Sequence, residues 1–310
     1  MRRGGLRGWA IVAALSGGPA LAGAVSFTDG VQVAVLPASL AEVSGLAQSR
    51  TNPGVFWVHN DSGDEPRVYA VSRSGALLGS YTLAGATAVD WEDMAIGPAG
   101  GGRSYLYLAD IGDNTGRRRS VRVYRVSEPV VDVNQSPVVE TLPRVTSYDF
   151  VYDDGPRDAE GFMVDPLTGD FYVVSKREPD GNRLYRSISP SDRGMNTLER
   201  VGRFATTGTT GADISPDGLQ VLIRRYSSAI DPAAPSALAG SYWSRPDASV
   251  SLVTLLAQPA QTIRLVVETQ GEAIAFAADN KGFYTTSEHG SLPGATSTQA
   301  ALTFYAILSK

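Results

Sequence analysis

The chain has 310 residues, 33 of them glycine and 18 proline, with no cysteine and a formal net charge of −5. The missing thiols exclude disulfides, thiolate metal sites, a cysteine nucleophile and a lipoprotein anchor. The acid excess argues against nucleic acid as a partner, because phosphate binding requires a basic stripe.

The N-terminus reads Met1-Arg2-Arg3, an apolar run from Trp9 to Leu15, and Ala20-Leu-Ala22. This is the layout of a secretory signal peptide over 1–22 with an A-x-A cleavage site. Ser16-Gly-Gly-Pro19 interrupts the run well short of the roughly 20 residues a span needs. The expected mature chain is therefore secreted or periplasmic, with no membrane span after cleavage. Losing Arg2, Arg3 and Arg7 takes its charge to −8. The remainder, 23–310, is expected to be a single domain, since β domains of roughly 285 residues are common.

Short runs of Val, Tyr, Thr and Ile between turn residues predict many strands and almost no helix. The runs repeat. Val55-Phe-Trp-Val-His-Asn-Asp61-Ser-Gly-Asp64 followed by Arg67-Val-Tyr-Ala-Val-Ser72 parallels Tyr105-Leu-Tyr-Leu-Ala-Asp110-Ile-Gly-Asp113 followed by Arg122-Val-Tyr-Arg-Val-Ser127. Further copies begin at Asp158-Ala-Glu160-Gly-Phe162, Gly211-Ala-Asp213 and Gly271-Glu-Ala-Ile274. A period of roughly 50 to 65 residues suits the four-stranded blades of a β-propeller. The expected fold is all-β: five blades closed by an N-terminal strand, Val31 to Leu36, or six if Thr141 to Tyr152 or Ser249 to Val267 hides a degenerate blade. Asp231 to Gly240, rich in Ala, Pro and Ser, reads as a surface loop.

The first strand of a propeller blade lines the central channel. Equivalent strand starts then gather Glu42, Asp90, Glu92, Asp158, Glu160, Asp213 and Glu272 into one ring. Like charges placed together need a cation or basic groups. Oxygen-only ligands favour calcium over magnesium, with Glu42, Asp90, Glu92, Asp158, Glu160 and Glu272 as candidate ligands. Alternatively these carboxylates cap turns or accept backbone N–H groups between blades.

The second-strand ends carry Asn60 and Asp61, Asp110, Lys176 and Arg177, Arg224 and Arg225, then Glu288 and His289. Basic groups beside a metal suit a phosphate or carboxylate ligand, or the two sets pair as salt bridges between blades. On the first reading Lys176 and Arg225 grip an anion and a metal-bound water attacks it. Asp110 and His59 complete the catalytic candidates, and a closed ring brings His59 near His289. The repeated D-x-G-D, at Asp61 to Asp64 and Asp110 to Asp113, resembles part of a calcium loop without the spacing of an EF-hand; its other reading is a turn. Trp57, Trp91 and Trp243 either line a binding face or pack between blades, and Arg117-Arg-Arg119 reads as a solvated loop tip.

The combination SGLA at 44–47, HNDSGD at 59–64, DWEDMA at 90–95, DIGDN at 110–114, DAEGF at 158–162, TGADISPDG at 210–218 and GEAIAF at 271–276 resembles a largely uncharacterised family of secreted bacterial β-propellers. More distantly it is similar to phytase-like and gluconolactonase-like propellers and to five-bladed calcium-activated nucleotidases. The phytase-like and gluconolactonase-like groups imply a calcium or other divalent-cation site at the channel mouth. The chain lacks the dense aspartate runs of the phytases. Two functions stand as expectations: a calcium-dependent hydrolase of a phosphoester or similar anionic small molecule, or a non-catalytic envelope or extracellular binding module with a structural acidic ring and a protein partner.

Overall fold

Runs of β-branched and aromatic residues fit a pleated, half-buried surface, and among the described residues they form all the regular structure except one short helix. The computed structural model describes residues 25–225, 240–266, 268, 270–288 and 299–308. The expected signal peptide, residues 231–239 of the insertion and His289 lie outside the described residues.

Two N-terminal strands come first, β1 (Ser26–Phe27) and β2 (Val31–Val35). A first group follows: β3 (Val43–Gln48), β4 (Val55–Asn60), β5 (Arg67–Ser72) and β6 (Leu77–Leu83). The second comprises β7 (Trp91–Gly100), β8 (Arg103–Asp110), β9 (Val121–Ser127) and, after the intervening β10 (Val138–Leu142), β11 (Thr146–Tyr152). The third is β12 (Ala159–Val164), β13 (Phe171–Ser175), β14 (Arg183–Ser187) and β15 (Met195–Arg203). In the fourth, β16 (Thr209–Ile214), β17 (Gln220–Arg225) and β18 (Gly240–Ser244) are followed by helix α1 (Leu252–Leu256) and β19 (Gln261–Ile263). The fifth is β20 (Gly271–Phe276), β21 (Gly282–Ser287) and β22 (Ala301–Leu308).

Strands pair antiparallel within each group, and the innermost strands β3, β7, β12, β16 and β20 adjoin in cyclic order, β20 meeting β3. This is a β-propeller. Both faces of the innermost strands are covered: β12, β16 and β20 are buried along their whole length, β3 but for Gln48 and β7 up to Gly97. Apolar layers fill the spaces between successive groups: Trp57, Trp91 and Leu108 in one, Phe162 and Phe171 in the next, then Met163, Ile214 and Trp243. Leu222, Phe276 and Tyr305 form a fourth layer, and Leu46, Phe56 and Tyr284 close the circle. All three tryptophans singled out above are thus packing residues, buried in these layers with their indole N–H groups bonded to Glu128, Thr87 and Gln258.

The N-terminal closure expected from the sequence is present. Strand β2 pairs with β22, Val31 opposite Phe304, and β1 continues along it with Ser26 opposite Leu308. That covers the edge an open array would leave. Residues 141–152 end β10 and form β11, and residues 249–266 contain α1 and β19. Two parallel pairings depart from the simple blade repeat. Strand β10 crosses back to pair parallel with β6, while β11 pairs parallel with β15, knitting neighbouring groups at their outer rims. No helix among the described residues is long and apolar enough to cross a membrane.

Buried carboxylates also tie the groups near the axis. Asp93, fully buried, accepts the N–H groups of Met94 (2.8 Å), Phe162 (2.9 Å) and Ala212 (3.0 Å), so one side chain links three inner strands. Asp213 accepts from Ile214 (2.8 Å) and Phe276 (2.7 Å).

Candidate functional site

The ladder between the two innermost strands shifts register at the same place in every group: between Val43 and Gly45, Trp91 and Asp93, Ala159 and Gly161, Thr209 and Gly211, Gly271 and Ala273. The residues skipped are Ser44, Glu92, Glu160, Thr210 and Glu272. A bulge leaves its extra residue outside the ladder and re-aims the side chain. Ser44, Glu92, Glu160 and Glu272 thereby face one cavity of about 370 Å³, whereas Thr210 turns to the Gly271 carbonyl at 3.0 Å. A second tier comes from the exits of the second strands. The N–H groups of Asp61, Lys176 and Glu288 bond the carbonyls of Glu42 (2.7 Å), Asp158 (3.0 Å) and Gln270 (3.0 Å), which sets all three side chains on the cavity wall. Asn114, Arg177 and Gln270 complete its lining among the described residues.

Five carboxylates (Asp61, Glu92, Glu160, Glu272, Glu288) thus share a cavity with two cations, Lys176 and Arg177. Lys176 Nζ donates to Glu160, and Arg177 donates to Asp158 and, at 2.6 Å, to Asn114 Oδ1. Asp158 is further held by the Asp113 N–H at 3.0 Å. Glu92 is 4% exposed and Glu272 6%, yet neither carboxylate has a hydrogen-bond partner among the described residues. Burial and the neighbouring Glu160, Asp61 and Asp90 push the Glu92 carboxyl well above its ordinary range. Burial, reinforced by Asp61, raises Asp90 to about 6. Burial, with Glu272, Asp61 and Glu42, raises Glu288 to about 7. Glu160 is also raised, by burial against the pull of Lys176. Burial opposes charge on Lys176 as well, but Glu160, Glu272 and Glu92 outweigh it and hold the ammonium above its ordinary value.

Carboxylate oxygens of Asp61, Asp90 and Glu92 lie within 4.8 Å of one another, and so do those of Glu92, Asp158 and Glu160. Opposite oxygens on a calcium ion are separated by about twice 2.4 Å, so either triad has the right span. Gly112 gives this geometry its clearest sequence cause. A methyl there would sit 2.1 Å from Glu92 Oε1 and 2.5 Å from Asp90 Oδ2, so only glycine lets the D-x-G-D loop pass the two carboxylates.

The remaining candidates are placed as follows. Glu42 is exposed and off the cavity wall. Asp213, expected in the ring, lies three residues beyond the bulge of its strand and serves the inter-strand tie described above. Asp110 and Arg225 do not line the cavity. They pair with Trp91 and Thr209, in the register position of Asn60, Ser175 and Ser287, one residue before Asp61, Lys176 and Glu288. One residue along a strand reverses the face. Asp110 instead accepts Asp90 N–H at 3.1 Å and pairs with Arg118 at 2.8 Å, positioning the Asp90 loop. Arg118 is thus a clamp and not a solvated tip. Arg225 is half-buried, and burial lowers its affinity for its proton. Arg224 is buried against Glu268 and the carbonyls of Ala273 (3.0 Å) and Thr286 (2.7 Å).

His59 is fully buried behind Gly45, where an added Cβ would fall 2.1 Å from Nε2, and burial depresses its charge. Its ring packs edge-on to Trp91 at 5.5 Å, away from the cavity wall. Asp64 and Asp113 fasten turns, Asp64 through Tyr69 (2.8 Å) and Arg67 (2.7 Å), Asp113 through the Arg118 N–H (2.6 Å). Asp61 and Glu288, which are not among the ligands expected from the sequence, reach the cavity; their signal is an acidic residue immediately after the second strand.

No protein-family model matches the chain, and no curated protein matches it. Solved structures similar to it include hydrazine synthase of Kuenenia stuttgartiensis, 13% identical, covering 79% of this chain and 74% of that one, TM-score 0.41. A chain of a nidogen/laminin complex is 14% identical over 80% of this chain and 73% of its own length, TM-score 0.43. The RRP9 WD40 repeats are 10% identical, covering 92% of this chain and all of that one, TM-score 0.46.

Proposed function

We propose that the protein is an exported calcium-binding β-propeller whose cavity holds one divalent cation between Asp61, Asp90 and Glu92. The observation that carries this is Glu92: an ionisable side chain at 4% exposure, facing a cavity, with Glu160, Asp61 and Asp90 around it outweighing the pull of Lys176, and no hydrogen-bond partner among the described residues. A buried carboxylate in that state costs several kcal/mol, and a hard cation removes the cost. Carboxylate oxygens without nitrogen or sulfur favour calcium, which tolerates irregular geometry, over magnesium.

The same charge pattern favours a binding module over a hydrolase of anionic substrates. Lys176 is committed to Glu160 and Arg225 is off the cavity wall, so neither is placed to grip an anion there. Export rests on the leader at 1–22, and membership of a secreted propeller family rests on the motifs from SGLA to GEAIAF.

Calorimetric titration of chelator-treated protein with CaCl₂ tests the proposal. It should show binding that Glu92→Gln weakens at least tenfold and MgCl₂ reproduces poorly. No heat and no shift in melting temperature at 10 mM calcium, about tenfold above the weakest dissociation constants of extracellular sites, would reject it. A phosphatase, nucleotidase and lactonase panel on the calcium-loaded protein separates the hydrolase reading; turnover lost in Glu92→Gln would restore it.

A further inference from the structure

Glu92 belongs to both carboxylate triads, and the two are not alike. In the triad with Asp158 and Glu160, cations are already present: Lys176 Nζ on Glu160 and Arg177 on Asp158. The triad with Asp61 and Asp90 contains no bonded cation among the described residues. The Lys176 side chain is only 16% exposed, so its ammonium has left bulk water for the carboxylates around it. An ammonium is a compact point charge, the organic counterpart of a hard cation among oxygens. Glu92, buried and without a hydrogen-bond partner among the described residues, faces the cavity and is the member the two triads share.

We infer that Lys176 is a tethered cation filling the second of two adjacent divalent-cation positions that share Glu92. The inference rests on the calcium site proposed above. The native centre accordingly takes one ion, at Asp61, Asp90 and Glu92, and the second position, at Glu92, Asp158 and Glu160, accepts a divalent ion only when the ammonium is removed and the half-exposed Arg177 swings off Asp158. Glu272 strengthens the hold on Lys176. The device sets stoichiometry through a side chain covalently fixed in the protein, and an added ion must displace it to bind there.

The test counts calcium ions by native mass spectrometry and calorimetry, with CaCl₂ as the sole added ligand, on the wild-type chain and on Lys176→Gln, Lys176→Met and Lys176→Arg. Expected counts are one for wild type and Lys176→Arg, and two for Lys176→Gln and Lys176→Met. In Lys176→Ala, methylammonium should compete with the second ion and return the count to one. An unchanged count of one in all variants would overturn the inference and leave the first calcium site standing. Wild type binding none and Lys176→Gln binding one would reject the first site and with it the paired-position inference, leaving a single position that the ammonium fills. No ion in any variant rejects both. A divalent ion should replace the missing charge, so failure of both Lys176→Gln and Lys176→Met to fold in 10 mM calcium also counts against it.

Discussion

Glu92→Gln makes a prediction with two opposite signs. Without calcium, the wild-type carboxyl is buried beside Glu160, Asp61 and Asp90 and raised well above its ordinary range. A group raised in the folded state holds its proton more tightly there, so stability falls as pH rises from the unfolded carboxylate value of about 4.3 through the folded one. The amide removes that loss. In chelator at pH 8 the variant should be the more stable, because an amide has no ionisation for burial to penalise, seen as a rise of about 2 °C or more per kcal/mol. At pH 5 the difference should shrink. With calcium the order reverses: losing one partner of a buried charge contact costs about 3 kcal/mol, or roughly a hundredfold in dissociation constant. Thermal melts at both pH values, with chelator and with calcium, check every sign. A Glu92→Gln protein less stable than wild type in chelator at pH 8 would refute the reasoning, because Glu92 would then be satisfied without an ion.

Gly112→Ala brings a methyl against Glu92 and Asp90; it should weaken calcium binding at least tenfold in a titration while the far-ultraviolet circular dichroism stays native. Asp93→Ala orphans N–H groups on three strands, so equilibrium unfolding should show a loss of roughly 3 kcal/mol or more, at about 1–3 kcal/mol per buried donor. Burial raises the Asp213 carboxyl to about 6, and Arg50 opposes it. Its folded form therefore binds the proton more tightly, stability falls between about pH 4 and 6, and wild type should lose about 3 kcal/mol more than Asp213→Asn across that interval, at about 1.36 kcal/mol per unit. Denaturant melts at four pH values measure the difference.

The fold was legible because the repeat is written in strand and turn chemistry. Runs such as VFWVHN and YLYLAD can bury both faces only between neighbouring sheets, and Val31 to Leu36 had no partner but the last group. The site was legible in part. A polar residue marks the bulge in each copy, before glycine or alanine in four (Ser44-Gly, Glu160-Gly, Thr210-Gly, Glu272-Ala) and before Asp93 in the other (Glu92-Asp). Gly211-Ala-Asp213 imitates Asp158-Ala-Glu160, and only the pairing register reveals that the fourth bulge is Thr210. The facing of strand ends was hidden for a related reason. Lys176 and Arg225 occupy successive positions of the same exit, and a shift of one residue separates the cavity wall from the opposite face. His59 carries no mark in sequence of the Gly45 backbone pressed against it.

The most direct measurement is the position of the ion itself. Crystals grown in CaCl₂, and again with a lanthanide for its anomalous signal, should show one peak at about 2.4 Å from oxygens of Asp61, Asp90 and Glu92, with Lys176 still on Glu160. A cavity without a peak at 10 mM calcium, or a peak held by other residues, would contradict the account.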